Sequence, residues 1–213
     1  MADERSLGSA IMALVAIGLL GASLVYPWME YDYSSGRQTA PGGPQDPSDE
    51  RVEHRHIEYR PNSETGRTDV DGTTTGTARS SDPALSAQTV QRMAWAVFAA
   101  MGLLVLMALG EIPGIHFVIR RRVGIALGTL AFGCIVAAVA IAWFKLPESL
   151  AGYGVTGPFY YELQDDGYTR TTLDWGWALA ALAVPTALGA ILFKFQAGSA
   201  RAAMAEVLGI TEA

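Results

Sequence analysis

Long apolar blocks alternate with polar ones along this chain. Met93–Ile112 and Val123–Phe144 are two such blocks, separated by a stretch that carries Arg120-Arg121-Arg122. Each holds about 20 residues, which at a rise of about 1.5 Å per residue crosses a hydrocarbon core of about 30 Å. A third block runs from Leu7 to Tyr26, and a fourth leads from Trp175 to Phe195 with Pro185 in its interior to kink it. The pattern predicts four transmembrane segments, at residues 7–27, 84–112, 123–144 and 173–195. The first is expected to be a retained signal anchor. Its apolar run exceeds a typical signal core, and acidic Asp3 and Glu4 precede it.

Within the polar blocks the period changes. Residues 29–83 form the first outer loop. Tyr26, Trp28, Tyr31 and Tyr33 near its start have the amphipathic rings expected at headgroup depth. Residues 34–50, rich in Gly and Pro, are expected to be mobile. In Arg51–Arg60, Val52, His54, His56 and Glu58 alternate with Arg55, Ile57 and Tyr59, the period of a strand. Pro61-Asn62-Ser63 is a turn candidate, and Thr68–Ala78 offers a partner strand around Asp71-Gly72. The second outer loop, residues 145–172, carries two β-prone runs on either side of Gln164-Asp165-Asp166-Gly167. They predict a hairpin over residues 159–172 that can join the first loop's strand in one sheet. Residues 113–122 make the inner turn, and 196–213 a short inner helix or frayed tail.

Charge sets the orientation. Three arginines in a short connection fix it on the cytoplasmic side. Arg120, Arg121 and Arg122 therefore put both chain ends inside and both long loops outside. The chain is then a multi-pass protein of the cell membrane, a single polytopic domain over residues 1–213. The outer segments are acidic, with eleven acids against seven arginines between Met29 and Arg92 and five acids against two bases between Lys145 and Asp174. Such a surface argues against nucleic acid as a partner. Trp28, Trp143, Trp175 and Trp177 are expected to anchor the interface. Gly124 and Gly128 form a small-residue pair for close helix packing, and Gly133 forms another with Ala137. The one cysteine, Cys134, lies in an apolar run, so no intrachain disulfide supports the outer loops.

Candidate chemistry is sparse. No ionisable group lies near mid-depth of the apolar runs, which argues against ion or proton transport. Ser23, Thr129 and Thr186 can bond back to their own helix backbone. No nucleophile elbow, His-Glu-x-x-His or phosphate-binding glycine loop is present, so the reading is non-enzymatic and without a cofactor. Asp69, Asp71 and Gly72 lack the further carboxylates of a calcium loop. His54 and His56 are the candidate metal ligands: two apart on a strand they share a face, with Glu58 next on that face, as an N/N/O set for Zn²⁺ or Cu²⁺.

The layout of four helices, a long first outer loop with strands, a basic inner turn and a shorter second outer loop resembles the claudin and peripheral-myelin-protein superfamily. Trp28, just after the first helix, matches the tryptophan that members carry near that point. The resemblance is one of topology. The first loop has no cysteine pair and no second tryptophan, so paracellular barrier function does not carry over. What the resemblance implies is a left-handed four-helix transmembrane bundle with a small extracytoplasmic antiparallel β-sheet continuous with its helices.

The leading expectation is a structural or accessory role in the envelope. It would be exercised in the lipid bilayer through a membrane-protein partner or self-association. A lipid- or small-molecule-binding or transport protein, and an extracytoplasmic metal-binding protein using His54 and His56, are the alternatives.

Overall fold

The computed structural model describes residues 2–38, 51–60, 63–70, 73–79, 85–110, 117–149, 155–164 and 167–207. In chain order these form α1 (Ala2–Ser23), β1 (Met29–Gln38), β2 (Arg51–Arg60), β3 (Ser63–Val70), β4 (Thr73–Arg79), α2 (Leu85–Leu109) and α3 (Phe117–Ala140). A π-helical segment, Ile141–Lys145, prolongs α3 and leads into α4 (Leu146–Ser149). Then come β5 (Tyr160–Gln164), β6 (Gly167–Leu173) and α5 (Trp175–Val207). The expected turns at 61–62, 71–72 and 165–166, the stretches 39–50, 80–84 and 111–116, and residues 208–213 lie outside the described residues.

Among the described residues, three helices are long and apolar enough to cross a membrane: Gln88–Leu109, Arg121–Glu148 and Trp175–Gln196. The apolar part of α1, Leu7–Ser23, is shorter. Pro27 disfavours helical geometry at the residue before it, and the chain already turns at residues 24–26. Two other boundaries differ from expectation. Arg120–Arg122 belong to the opening turns of α3, not to a loop, because Phe117, Val118 and Ile119 begin the helix before them. The expected separate tail after residue 195 is instead the continuation of α5 to Val207. That helix also passes unbroken through Pro185.

The chain divides into two compact units. One comprises Met1–Ala22, Trp95–Ala138 and Leu179–Ala213. Its interior combines alanine with a few larger apolar side chains, Leu20, Val97, Leu104, Met107 and Ile135, while many large ones lie outside. Ala180, Ala183, Ala187 and Ala190 of α5 are fully buried, as are Ala13 and Ala16 of α1. Leu182, Leu188 and Leu192 of α5 point outward, with Leu14 of α1 and Leu106 of α2. A protein surrounded by water hides its large apolar side chains. This helical unit leaves many of them on the surface and sets alanine at many of its contacts, as helices that meet in lipid do. The close contacts follow. A Cβ at Gly128 would stand 2.8 Å from Ile191 and 3.1 Å from Met107, so α3 approaches both α5 and α2 there. A Cβ at Gly124 would stand 2.7 Å from the Cε of Lys194. Within the single chain nothing lies within 4 Å of the Cβ position of Gly133, whose side of α3 faces outward. Ser9 donates to the Ala190 carbonyl at 2.9 Å, joining α1 to α5. Thr129 and Thr186 bond back to Ile125 and Leu182 as anticipated.

The other unit comprises Ser23–Ala94 and Val139–Ala178 and contains an antiparallel sheet in the order β4-β3-β2-β1-β6-β5. Strand β2 falls where the alternation placed it, and β5 and β6 form the expected hairpin. Strand β1 overturns part of the expectation. Residues 29–38 are an inner strand that pairs with β2 on one side and β6 on the other. Tyr31 is therefore buried in the sheet, not set at headgroup depth, and residues 34–38 belong to the strand. The buried face carries Met29, Tyr31, Tyr59, Thr169 and Thr171.

Candidate functional site

The polar face of the sheet brings Glu30, Asp32, His56 and Glu58 together, and strand register builds the group. Antiparallel pairing of β1 with β2 places Glu30 opposite Glu58 and Asp32 opposite His56. On the other side of β1, Thr172 and Arg170 of β6 face Glu30 and Asp32. Side chains directly opposite each other lie about 5 Å apart, whereas i and i+2 on one strand are separated by almost 7 Å. The cross-strand neighbour is therefore the nearer one.

That spacing groups the side chains across the strands instead of along β2. His56 and Glu58 are brought together with Glu30, and their candidate ligand atoms lie within 4.8 Å of one another. His54 is exposed and stands one step further along β2, opposite Ser34, outside the group. Glu30 carried no signal in the sequence, because its closeness to His56 depends on a pairing with β1 that the pattern around Tyr31 did not announce.

His56 Nδ1 lies 2.5 Å from Asp32 Oδ1, and a carboxylate there requires the ring to donate from Nδ1. The opposite ring atom, Nε2, faces Glu58 Oε1 at 3.6 Å. The second oxygen of Glu58 accepts from Arg60 at 2.8 Å. All four side chains are partly buried. Burial works against a charged His56, but the hydrogen bond to Asp32 and the charges of Asp32 and Glu30 outweigh it, and the ring's pKa is raised. The Glu30 carboxyl is also held above its ordinary range, first by burial and then by the charge of Asp174. Two glutamates directly opposed across a ladder repel each other, and the charge of His56 offsets part of that repulsion at Glu30.

No family model and no curated protein matches the chain.

Elsewhere in this unit, Trp28 differs from the expected anchor. It is fully buried, and its indole donates to the Ser23 carbonyl at 2.8 Å. Its backbone N–H donates to Tyr59 at 2.7 Å, and its carbonyl accepts from Asp174 at 3.0 Å. Trp28 thus extends the ladder on both sides of β1. Gly176, which the sequence did not flag, packs here: its N–H donates to Pro27 at 2.8 Å, and an added Cβ would meet the Tyr26 and Pro27 carbonyls and the Trp28 ring at 2.5 Å. Trp143 packs on Trp177 with ring centroids 5.4 Å apart, and edge-on to Phe159 at 5.9 Å. Trp175 is largely exposed.

Among the described residues β5 is an end strand of the sheet. Phe159, Tyr161 and Leu163 stand at alternate positions and are 64%, 65% and 74% exposed. In the helical unit, Arg121 lies 5.4 Å above the Phe195 ring and donates to its carbonyl at 3.3 Å.

Proposed function

We propose that the chain is a non-enzymatic four-pass membrane protein whose outward sheet docks a partner protein of the envelope, a structural or accessory role. Three candidate spans and the shorter apolar helix α1 support four crossings. Both connections that supply strands then lie on the same side. The claudin-like arrangement belongs to this reading. It is supported by one sheet that draws β1–β4 from the connection between α1 and α2 and β5–β6 from the connection before α5.

The observation that carries the docking role is β5. An edge strand with unpaired backbone groups and a row of exposed apolar side chains is a template for another strand, and soluble proteins usually guard such edges with charge or cover. Among the described residues no strand pairs with the far side of β5, and Phe159, Tyr161 and Leu163 beside it are exposed. Aromatic residues are favoured at the centre of protein contacts. An extended segment of the partner adding to β5 would take its affinity from main-chain bonds and its specificity from the side-chain row. Glu162, at the middle of β5, favours a partner strand carrying a basic residue. Two copies paired about that position would set Glu162 against Glu162.

A photo-crosslinking residue in place of Leu163, in the full chain in its native membrane, tests this. The expected product is an adduct with a second, different protein, lost in Tyr161→Asp. Adducts with lipid alone, together with a strictly monomeric species in mild detergent, overturn the proposal.

A further inference from the structure

The charge arrangement on the polar face points beyond a docking role and stands independently of it. We infer that Glu30, His56 and Glu58 form a site for one divalent ion of the borderline first-row class, Zn²⁺ in the first instance. His56 Nε2 and one oxygen from each glutamate are the ligands, and Asp32 positions the ring.

Four features of the geometry converge on this. First, the donor set is one imidazole and two carboxylates, the composition that zinc takes when a fourth position is left for water. Second, the separation of 3.6 Å between His56 Nε2 and Glu58 Oε1 is too long for a good hydrogen bond. It is close to the spacing of about 3.3 Å that two ligands about 2.0 Å from a tetrahedral ion must keep. Third, the Nδ1 bond to Asp32 at 2.5 Å fixes the ring and directs the other nitrogen at the glutamates. A carboxylate holding the far side of a ligating histidine is the usual support of such a site, and it raises the basicity of the ligand. Fourth, Glu30 and Glu58 oppose each other across the ladder, and a dication between the two relieves the repulsion of facing carboxylates. Arg60 occupies the outer oxygen of Glu58 and so orients the inner one.

A metal on Nε2 requires that nitrogen to be unprotonated, so binding should weaken as the pH falls, and no redox step is involved. Ligands of this kind hold Cu²⁺ more tightly than Zn²⁺, while Mg²⁺ prefers all-oxygen surroundings.

The test uses the full chain in mild detergent, stripped with a chelator and titrated with Zn²⁺ by calorimetry. One ion per chain is expected. Glu30→Gln and His56→Ala should each lose the site. Asp32→Asn should keep the stoichiometry but weaken binding by about 10- to 100-fold. His54→Ala should bind like wild type. Absence of Zn²⁺ binding to wild type, or equal binding by His56→Ala, overturns the assignment. If His56→Ala loses the sheet signal in circular dichroism, zinc-edge X-ray absorption of the loaded wild-type protein decides instead. Imidazole scattering supports the site and its absence overturns it.

Discussion

Trp28 and Gly176 show how much of the sheet unit hangs on single side chains. The Trp28 ring fills a fully buried space, and its backbone bonds reach Tyr59 and Asp174. Trp28→Ala is therefore expected to cost about 3–5 kcal/mol, measured as a lowered unfolding midpoint in detergent. At Gly176 even a methyl group meets two carbonyls and the indole at 2.5 Å. Gly176→Ala should cost about 1–3 kcal/mol or more by the same measurement, while Gly133→Ala, with open space around it, should not destabilise. Neither role was legible in the sequence. A tryptophan after a membrane helix reads equally well as an interfacial anchor, and a glycine between two tryptophans gives no sign of the backbone pressed against it. Tyr160 offers a residue-scale check on the hairpin. Its hydroxyl donates to the Glu162 carboxylate, which holds the phenol above its ordinary pKa. The proton is retained because the neutral phenol is the donor. Removing the carboxylate charge with Glu162→Gln should shift one tyrosine's ultraviolet titration to lower pH.

At the scale of elements, strand β2 was legible and β1 was not, for one reason. Arg51–Arg60 alternates without a competing explanation, whereas Met29, Tyr31 and Tyr33 alternate in a place where aromatic side chains are also expected at a membrane surface. Once β1 was missed, the pairing of Glu30 with Glu58 was out of reach, and the candidate site was read along one strand instead of across two. His56 and Glu58 lie in the group that the pairing assembles, Glu30 joins them from β1, and His54 stands outside it. The helices were better served, because an apolar run of about 20 residues has few other uses. The arginines at 120–122 were displaced only from a loop to a helix start. Position in the sheet gives a contrast to test. Proline at Tyr33, on the inner strand β1, removes a ladder donor between two neighbours and should abolish the strand signal in circular dichroism. Proline at Leu163, on the edge strand β5, should leave most of it intact.

For the whole molecule, the outward leucines and inward alanines of the helical unit and the three candidate spans agree on a membrane protein. The proposed orientation makes a direct prediction. A cysteine placed at Arg121 should react with an impermeant thiol reagent only after the membrane is opened, while one at Leu163 should react on intact cells. Reversal of that pattern would place the sheet inside.

The pairing of β1 with β6 also has a consequence for how the chain is made. Met29 pairs with Leu173, so the strand that emerges among the first residues waits for one that emerges among the last. During that interval β1 is covered on its β2 side only, and a chain released before residue 173 keeps a naked inner strand. Such truncated products should be prone to clumping and quick to be destroyed. A separately supplied fragment beginning ahead of β5 should rescue them by completing the ladder.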